Sequence, residues 1–168
     1  MIQPAGAGRL AGIARRAKLR GPMEELAAGL ISPAAGLEGC ARGAKYPSRQ
    51  ITVLAAADWA AAVAELADLA GAVPLAWTVR RANLLVDGLR LPRAKGARIA
   101  VGPVMLEVTG QTYPCSRMEA AHRGLLSALA RDWRGGVTCR VIAGGPIAIG
   151  DAAHVVCSPP ERSIRLPG

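Results

Sequence analysis

Residues 99–108 read IAVGPVMLEV, with apolar residues at every second position on either side of a Gly-Pro pair. The alternating apolar residues are Ile99, Val101, Val104, Leu106 and Val108. A period of two places these side chains on one face of a strand, and Gly-Pro is typical of a turn. The segment therefore predicts a β-hairpin with one buried face.

Short strand patterns separated by turn residues continue on both sides of this hairpin. The other predicted strands span residues 23–31, where a short helix is the alternative, and residues 50–54, 84–86, 137–141, 147–149 and 152–157. The chain contains 20 glycines and 12 prolines, which favour many turns over long uninterrupted helices. Loops are expected at residues 36–48 and 109–117, and the second of these contains Pro114 and Cys115.

Two segments have helical instead of strand periodicity. We predict one helix at residues 58–69, ended by Gly71 and Pro74, and a second helix at residues 120–133. Their apolar stripes, spaced three or four residues apart, are Trp59, Val63 and Leu66 in the first helix and Leu125, Leu129 and Trp133 in the second. Many short strands with two helices predict a mainly β fold, a β-barrel or closed antiparallel sheet with helices packed outside it.

Length and composition agree with a single domain. The 168 residues are 51% hydrophobic, with no Phe, so the core must be built from Leu, Val, Ile and Ala. The formal charge is +9, and 18 of the 21 basic residues are arginine. Three explanations remain open: the composition of an arginine-rich genome, a site for an anion, and nucleic-acid binding. Nucleic acid is the least favoured, because there is no long basic run and aromatic residues make up only 3%.

The cysteines and the ends of the chain indicate a reducing compartment. Cysteines occur at positions 40, 115, 139 and 157, and no two form a C-x-x-C pair. Neither His122 nor His154 forms a recognised zinc-ligand pattern with these cysteines, so a structural zinc site is not expected. No secretion signal or transmembrane span is recognisable, and we expect a cytoplasmic protein that does not bind membranes.

An ordered series of motifs resembles MOSC domains, the module found at the C-terminus of molybdenum cofactor sulfurases and in small stand-alone bacterial proteins. The series comprises residues 12–13, 22–23, 36–39, 80–84 (RRANL), 104–110 (VMLEVTG), 114–118 (PCSRM), 133–137 (WRGGV), 139–142 (CRVI), 144–145 and 149–151. The resemblance covers residues 8–156 and implies a β-barrel of MOSC type with a few peripheral α-helices. We predict a single MOSC domain at residues 1–157 and a C-terminal tail at residues 158–168.

The resemblance implies chemistry of the molybdenum cofactor, or molybdopterin. Some members bind the cofactor through the MOSC cysteine and reduce N-hydroxylated compounds, which requires a separate electron-donor protein. In sulfurases the domain is thought to receive sulfur from a donor and deliver it to the cofactor. Pyridoxal phosphate belongs to a separate sulfurase domain that this chain is too short to hold, so we do not expect it to bind. Three functions stay open: an oxidoreductase, a sulfur carrier, and a non-catalytic cofactor-binding module.

The matching motifs imply a set of site residues centred on Cys115. Its thiolate would be both the reactive group and the molybdenum ligand, and a cation two residues away, Arg117, would favour the charged form. The residues implied to bind the cofactor are Arg80, Arg81, Asn83, Thr112 and Arg117, with Arg15 or Arg16 closing a phosphate pocket and Arg49 as a weaker candidate. A guanidinium suits a phosphate and a carboxamide suits the edge of a pterin ring. From the residues alone, Cys115 could equally be an inert loop cysteine and Arg80–Asn83 a solvated turn.

We expect a smaller functional role for the remaining cysteines and for the histidines. The family usually carries Gly-Asp where this chain has Gly39-Cys40, which leaves the role of Cys40 open and makes it a candidate resolving thiol for Cys115. Cys139 alternates with valines, so we expect it in the core, and we expect no role for Cys157. We interpret His122 and His154 as surface or hydrogen-bonded residues.

Overall fold

The computed structural model describes residues 7–43, 45–70 and 75–161, and within them the chain forms eleven β-strands and three α-helices. The strands are β1 (Gly8–Arg15), β2 (Glu24–Leu26), β3 (Ala28–Ser32), β4 (Gly36–Leu37), β5 (Ile51–Ala55), β6 (Leu84–Asp87), β7 (Arg98–Val101), β8 (Val104–Gln111), β9 (Val137–Ala143), β10 (Gly145–Ala148) and β11 (Ala152–Cys157). The helices are α1 (Ala56–Ala70), α2 (Ser116–Ala121) and α3 (Leu125–Ala130). All the predicted strands are confirmed, with the segment 23–31 divided between β2 and β3.

Seven strands close into a barrel. Their order is β11–β7–β8–β9–β5–β6–β1, and β11 pairs again with β1, so the ring has no free edge. Most of the pairs are antiparallel, but β5 and β6 run parallel because α1 connects them on the outside. Strand β2 extends the ring beside β1, and β10, β3 and β4 form a separate three-stranded sheet. The predicted β-barrel with peripheral helices is therefore confirmed.

The hairpin of residues 99–108 lies within this barrel as β7 and β8. Val101 pairs with Val104 across Gly102-Pro103, and Gly102 adopts a positive φ of 52°, which glycine tolerates at the turn. The alternating apolar side chains are almost completely buried in the barrel core, whereas Met105 and Glu107 on the opposite face are partly exposed. A shift of one residue would move these apolar side chains to the exposed face, so their burial fixes the register of the β7–β8 pair.

Helix α1 packs against the outside of the barrel, close to its predicted position. Trp59 and Leu66 are buried and pack in one cluster with Leu54 of β5 and with Leu125 and Leu129 of α3. Gly71 and Pro74, the predicted end of this helix, lie outside the described residues. None of the helices in the described ranges is both long and apolar enough to cross a membrane.

The prediction of one helix at residues 120–133 is wrong, because the chain there is broken into α2 and α3. His122 is extended and Gly124 has a φ of +88°, so neither continues the helix. Trp133 lies in a turn with a φ of +55° and not at the end of a helical stripe. The predicted loop 109–117 is also too long, since β8 continues to Gln111 and α2 starts at Ser116. Cys115 therefore sits immediately before a helix.

The first residues of the predicted tail contact the domain. Glu161 accepts hydrogen bonds from both Arg90 Nη atoms at 2.8 and 3.0 Å and from the Arg93 amide at 3.0 Å. These bonds lower the pKa of Glu161 to about 2. Residues 162–168 of the tail lie outside the described residues, and the domain boundary at 157 stays a prediction.

Candidate functional site

A cavity of about 450 Å³ lies where four chain segments that are distant in sequence come together. These segments follow β1, precede β5, precede β6 and connect β8 to α2. Eight cationic residues line the cavity: Arg16, Arg20, Arg42, Lys45, Arg49, Arg80, Arg81 and Arg117. Its other walls come from Leu19, Tyr46, Thr52, Ala82, Thr112, Tyr113, Cys115 and Met118.

Among the residues that the structure describes, no carboxylate belongs to the lining of this cavity. Within the described part of the chain, none of the eight cations forms an ion pair, whereas seven other arginines do so elsewhere on the surface. Positive charges gathered without a counter-charge repel one another and attract an anion. The cavity is therefore suited to a ligand that carries negative charge.

The cations differ in depth, which divides them into two sets. The inner arginines are Arg16, Arg42, Arg80 and Arg81, which are buried or half-buried. The outer cations are Arg20, Lys45, Arg49 and Arg117, which are exposed. Exposed Leu19, Tyr46 and Tyr113 accompany the outer cations at the mouth of the cavity.

Burial and the neighbouring positive charges destabilise the charged form of the inner arginines. Burial, followed by repulsion from Arg16 and Arg49, lowers the pKa of Arg42 to about 10. Burial lowers the pKa of Arg80 to about 10 as well, and it is the main cause of the lowered pKa of Arg16 and of Arg81. All four remain protonated at neutral pH, so an anion in the cavity would relieve the cost of burying and crowding these charges.

Arg80 joins two loops at the wall of the cavity. Its Nε donates to the Gly135 carbonyl and its Nη2 donates to the Thr112 carbonyl, both at 3.0 Å. Arg80 is only 6% exposed, so these bonds are shielded from water. The side chain therefore fixes the short loop that carries both Thr112 and Cys115.

Two buried polar atoms in the described part of the chain lack a hydrogen-bond partner, and both belong to residues of the cavity wall. They are Arg81 Nε and Thr112 Oγ1. Arg81 also adopts a left-handed φ of 65°, while its Nη2 donates to the Gly21 carbonyl at 2.6 Å. Unpaired buried polar atoms and backbone strain cluster at sites built for a ligand. A bound molecule could supply the missing partners.

Asn83 lies behind the wall and does not line the cavity. Its Oδ1 accepts hydrogen bonds from the Thr52 amide at 3.0 Å and the Thr52 hydroxyl at 3.2 Å. Its Nδ2 donates to the Ala14 carbonyl at 3.2 Å and to Cys40 Sγ at 3.5 Å. The carboxamide is thus occupied in joining β1, β5 and the Cys40 loop, and it positions the wall instead of facing a ligand.

Cys115 is an exposed residue at the cavity, and the other cysteines are not part of its lining. Cys40 is buried beside Asn83, and its sulfur accepts a hydrogen bond from Asn83 Nδ2. The family that this chain resembles usually carries an acid at this position. Cys139 is completely buried in the barrel, and burial raises its pKa. Cys157 is exposed at the end of β11.

Most of the residues singled out in the sequence meet at this cavity. Those that line it are Cys115, Arg80, Arg81, Thr112, Arg117, Arg16 and Arg49. Arg15, the last residue of β1, is not part of the lining. The Arg15 guanidinium pairs with Glu24 at 3.4 Å and donates to the Glu38 carbonyl at 3.1 Å.

Several lining residues were missed by the sequence analysis. Arg20, Arg42, Lys45, Tyr46 and Tyr113 contribute to the wall or the mouth. A weak signal existed, since three cations occur within the eight residues from position 42 to position 49. That segment looked like an ordinary polar loop, and only the folded chain brings it beside Cys115.

Comparisons with known proteins identify the family of this chain. The family model for the MOSC domain matches residues 41–154. No curated protein matches the sequence significantly. Among solved structures, the YuaD protein from Bacillus subtilis superposes with a TM-score of 0.68 and 18% identity, covering 89% of this chain and 95% of that one. YiiM from Escherichia coli gives 0.63 and 18%, covering 93% and 73%, and YiiM from Geobacillus stearothermophilus gives 0.59 and 16%, covering 89% and 73%. At these identities the structures show a shared fold.

Proposed function

The chain belongs to the MOSC domain family, and we propose that it binds the molybdenum cofactor in the cation-lined cavity and reduces small N-hydroxylated substrates. MOSC domains are associated in general with this cofactor. The observation that carries the proposal is the presence of one exposed thiol, Cys115, in a cavity whose eight cations form no ion pair among the described residues. A soft ligand and an anion site thus occur together.

The residues present fit the parts of the cofactor. Its phosphate suits the inner arginines, because guanidinium groups bind phosphate oxygens through paired hydrogen bonds. The unpaired Arg81 Nε can donate to an acceptor and the unpaired Thr112 Oγ1 can bond to a polar edge of the pterin. The Cys115 thiolate is the soft donor that suits molybdenum with sulfur ligands. Arg80 and Asn83 hold these groups in place from behind.

When bound, the cofactor would supply the two-electron chemistry that converts an N–OH group, two protons and two electrons into N–H and water. This chain's residues anchor the cofactor at Cys115, neutralise its phosphate, and leave the exposed side of Cys115 open to the substrate. The electrons would come from a separate reductase protein. We place the reaction in the cytoplasm, which suits four cysteines without a disulfide in the described chain.

Metal analysis of two matched cysteine variants tests the proposal. The protein is purified from cells that synthesise molybdopterin, and molybdenum is measured for the wild type, Cys115→Ser and Cys157→Ser. Both cysteines are exposed, but only Cys115 lines the cavity. We expect about one molybdenum per chain in the wild type and in Cys157→Ser, and its loss in Cys115→Ser. Unchanged molybdenum in Cys115→Ser would contradict the assignment of the ligand.

The exposure of Cys115 also favours a second function, transfer of sulfur to a partner's cofactor. An exposed thiolate can take the outer sulfur of a donor protein's persulfide, releasing the donor as a thiol, and can then present that sulfur to an acceptor, whereas a buried thiol cannot. In that case the purified protein would carry cyanide-labile sulfur that disappears in Cys115→Ser, and it would contain no molybdenum. If the purified protein retains the cofactor but does not reduce N-hydroxylated substrates, it would instead be a non-catalytic cofactor-binding module.

A further inference from the structure

Cys115 and Cys157 are both exposed thiols, but their electrostatic surroundings differ. Cys115 lines the cavity whose eight cations form no ion pair among the described residues. Cys157 lies at the end of β11, where its neighbour across the β-ladder is Arg98, and the Arg98 guanidinium pairs with Glu107 at 3.4 Å. The chain thus holds one thiol in a strongly positive site and one beside a compensated charge.

Several of the cavity cations lie within electrostatic reach of Cys115. Burial lowers the pKa of Arg80 and of Arg81, and a negative charge on Cys115 counteracts this lowering in both residues. Arg117, two residues after the thiol, is close enough to Arg16 and Arg81 to repel them. Positive charges around a thiol attract an anionic reagent and stabilise an anionic group that becomes attached to the sulfur.

The cavity wall near Cys115 also offers a buried hydroxyl that can bond to a ligand. Thr112 lies three residues before Cys115, is 6% exposed, and its Oγ1 has no hydrogen-bond partner among the described residues. A hydroxyl can donate to a carboxylate or to a peptide carbonyl. The cavity volume of about 450 Å³ lies in the range of small-molecule sites. Thiol, cations and hydroxyl together suit a small peptide that bears carboxylates.

We propose that Cys115 of the cofactor-free protein is a modification site for small disulfides that bear carboxylates, such as oxidised glutathione. The Cys115 thiolate attacks one sulfur of the reagent, whose S–S bond breaks. One glutathione half leaves as a thiolate and takes up the proton that Cys115 has lost, while the other half stays on Cys115 as a mixed disulfide. The reagent disulfide is itself the oxidant, so the step requires no other.

The mixed disulfide regulates the site that carries it. While it is present, Cys115 is unable to act as a metal ligand or to take up sulfur, and this consequence rests on the proposed function although the exchange itself does not. The modification also shields the thiol from irreversible oxidation, and excess reduced glutathione removes it. Cys115 would therefore stay protected until the cofactor or a sulfur donor arrives under reducing conditions.

Peptide-resolved mass spectrometry tests this inference with Cys157 as the internal control. Cofactor-free protein, produced in cells that do not make molybdopterin, is equilibrated with mixtures of reduced and oxidised glutathione, and the modified fraction of each cysteine is measured. At about 50 mM NaCl, we expect Cys115 to be half modified at an oxidised-to-reduced ratio at least about tenfold lower than Cys157 requires. The difference should shrink at about 500 mM NaCl, because salt screens the cations.

The charge of the reagent and of the cavity can be varied separately. Cystamine carries about two positive charges where oxidised glutathione carries about two net negative ones, so it should lose the preference for Cys115. Arg117→Gln and Thr112→Val should each reduce the preference of Cys115 for glutathione severalfold. Arg123→Gln, which removes an equally exposed charge outside the cavity, should leave that preference unchanged.

Equal modification of Cys115 and Cys157 by glutathione would overturn the inference. A preference for Cys115 that is as strong with cystamine as with glutathione would overturn it as well, since exposure and not charge would then be responsible. Molybdenum content separates the inference from the proposed function. Selective modification of Cys115 in a chain that never acquires molybdenum contradicts only the proposed function, whereas molybdenum that is lost in Cys115→Ser, combined with unselective exchange in the wild type, contradicts only the inference.

Discussion

Arg42 shows how a single residue can favour ligand binding at the expense of stability. Its pKa is about 10 in the folded protein, below its ordinary value, because of burial and the neighbouring Arg16, Arg49 and Arg81. A cation whose pKa is lowered by folding destabilises the folded state while it is charged. That cost is fully present below pH 10 and is relieved only as the pH rises above 10 towards the ordinary pKa of arginine. At neutral pH the unliganded protein therefore carries the whole cost.

Replacing Arg42 by methionine should stabilise the unliganded protein. The apolar stem is kept and the crowded charge is removed, so we expect the free energy of unfolding in urea at pH 7 to rise by about 1–3 kcal/mol. Arg123→Met removes an exposed arginine that lies outside the cavity and should change stability by less than about 0.5 kcal/mol. Equal effects of the two variants would show that overall net charge, and not crowding in the cavity, is responsible.

Asn83 contributes through the strands it joins. Its carboxamide makes four hydrogen bonds, and the Ala14 carbonyl and the Thr52 groups are buried with it. Asn83→Ala leaves several of these partners unpaired, so we expect a loss of about 2–4 kcal/mol in the free energy of unfolding. Urea unfolding at pH 7 measures this loss. A midpoint that does not move would mean that water replaces the carboxamide and that Asn83 does not position the wall.

Sequence motifs identified several residues that the fold brings to the cavity, and sequence analysis missed residues where only the fold creates proximity. Arg80, Arg81 and Cys115 lie in segments that resemble family motifs, Thr112 lies between two such segments, and all four line the cavity. Asn83 belongs to the same motif but faces inwards, because β6 begins at the next residue and the chain has already entered the barrel. No pattern along the chain specifies which side of a turn faces a ligand.

At the scale of elements, the turn before β9 and the loop before α2 support each other. A Cβ atom at Gly135 would lie 2.5 Å from the Thr112 carbonyl oxygen and 3.1 Å from Arg80 Nη2. Gly135→Ala must therefore displace the loop that carries Thr112 and Cys115. We expect molybdenum content to fall severalfold while the barrel still folds, as measured by metal analysis and circular dichroism.

Gly110→Ala is the matched control for this prediction. Gly110 lies near the end of β8, and a Cβ atom there would meet only Thr138 Oγ1 at an ordinary distance of 3.8 Å. This variant should keep its molybdenum. Equal losses in the two variants would show that any added methyl group near this end of the barrel disturbs the cofactor, and that the Arg80 connection has no special role.

The strands were predictable because alternation is a local property of a half-buried strand. The hairpin of residues 99–108 carries its own turn and register, so β7 and β8 appear where the sequence places them. The second helix was mispredicted because Leu125 and Leu129 have helical spacing, but Gly124 adopts a positive φ that ends the preceding turn. Closure through β11 and β1 joins opposite ends of the chain, and local patterns do not encode it.

For the molecule as a whole, the distribution of charge matters more than its total. The net charge of +9 left three explanations open. Eight of the 21 basic residues line one cavity, while the ion-paired arginines lie elsewhere on the surface. Charge gathered in a concave site favours binding of a small anion, because the field there is focused.

A thermal shift measurement with inorganic phosphate tests this distribution directly. Phosphate at about 100 times its Kd should stabilise the folded protein by about 2.7 kcal/mol, which raises the Tm of a chain of this size by roughly 5–10 °C. The shift should shrink as NaCl is raised from about 50 mM to about 500 mM, because salt screens the outer cations. It should also be smaller in Arg42→Met. Arg98→Gln, which loses an arginine paired with Glu107 away from the cavity, should keep the full shift. Equal reduction by both substitutions would mean that phosphate responds to net charge, and that the cavity is not an anion site.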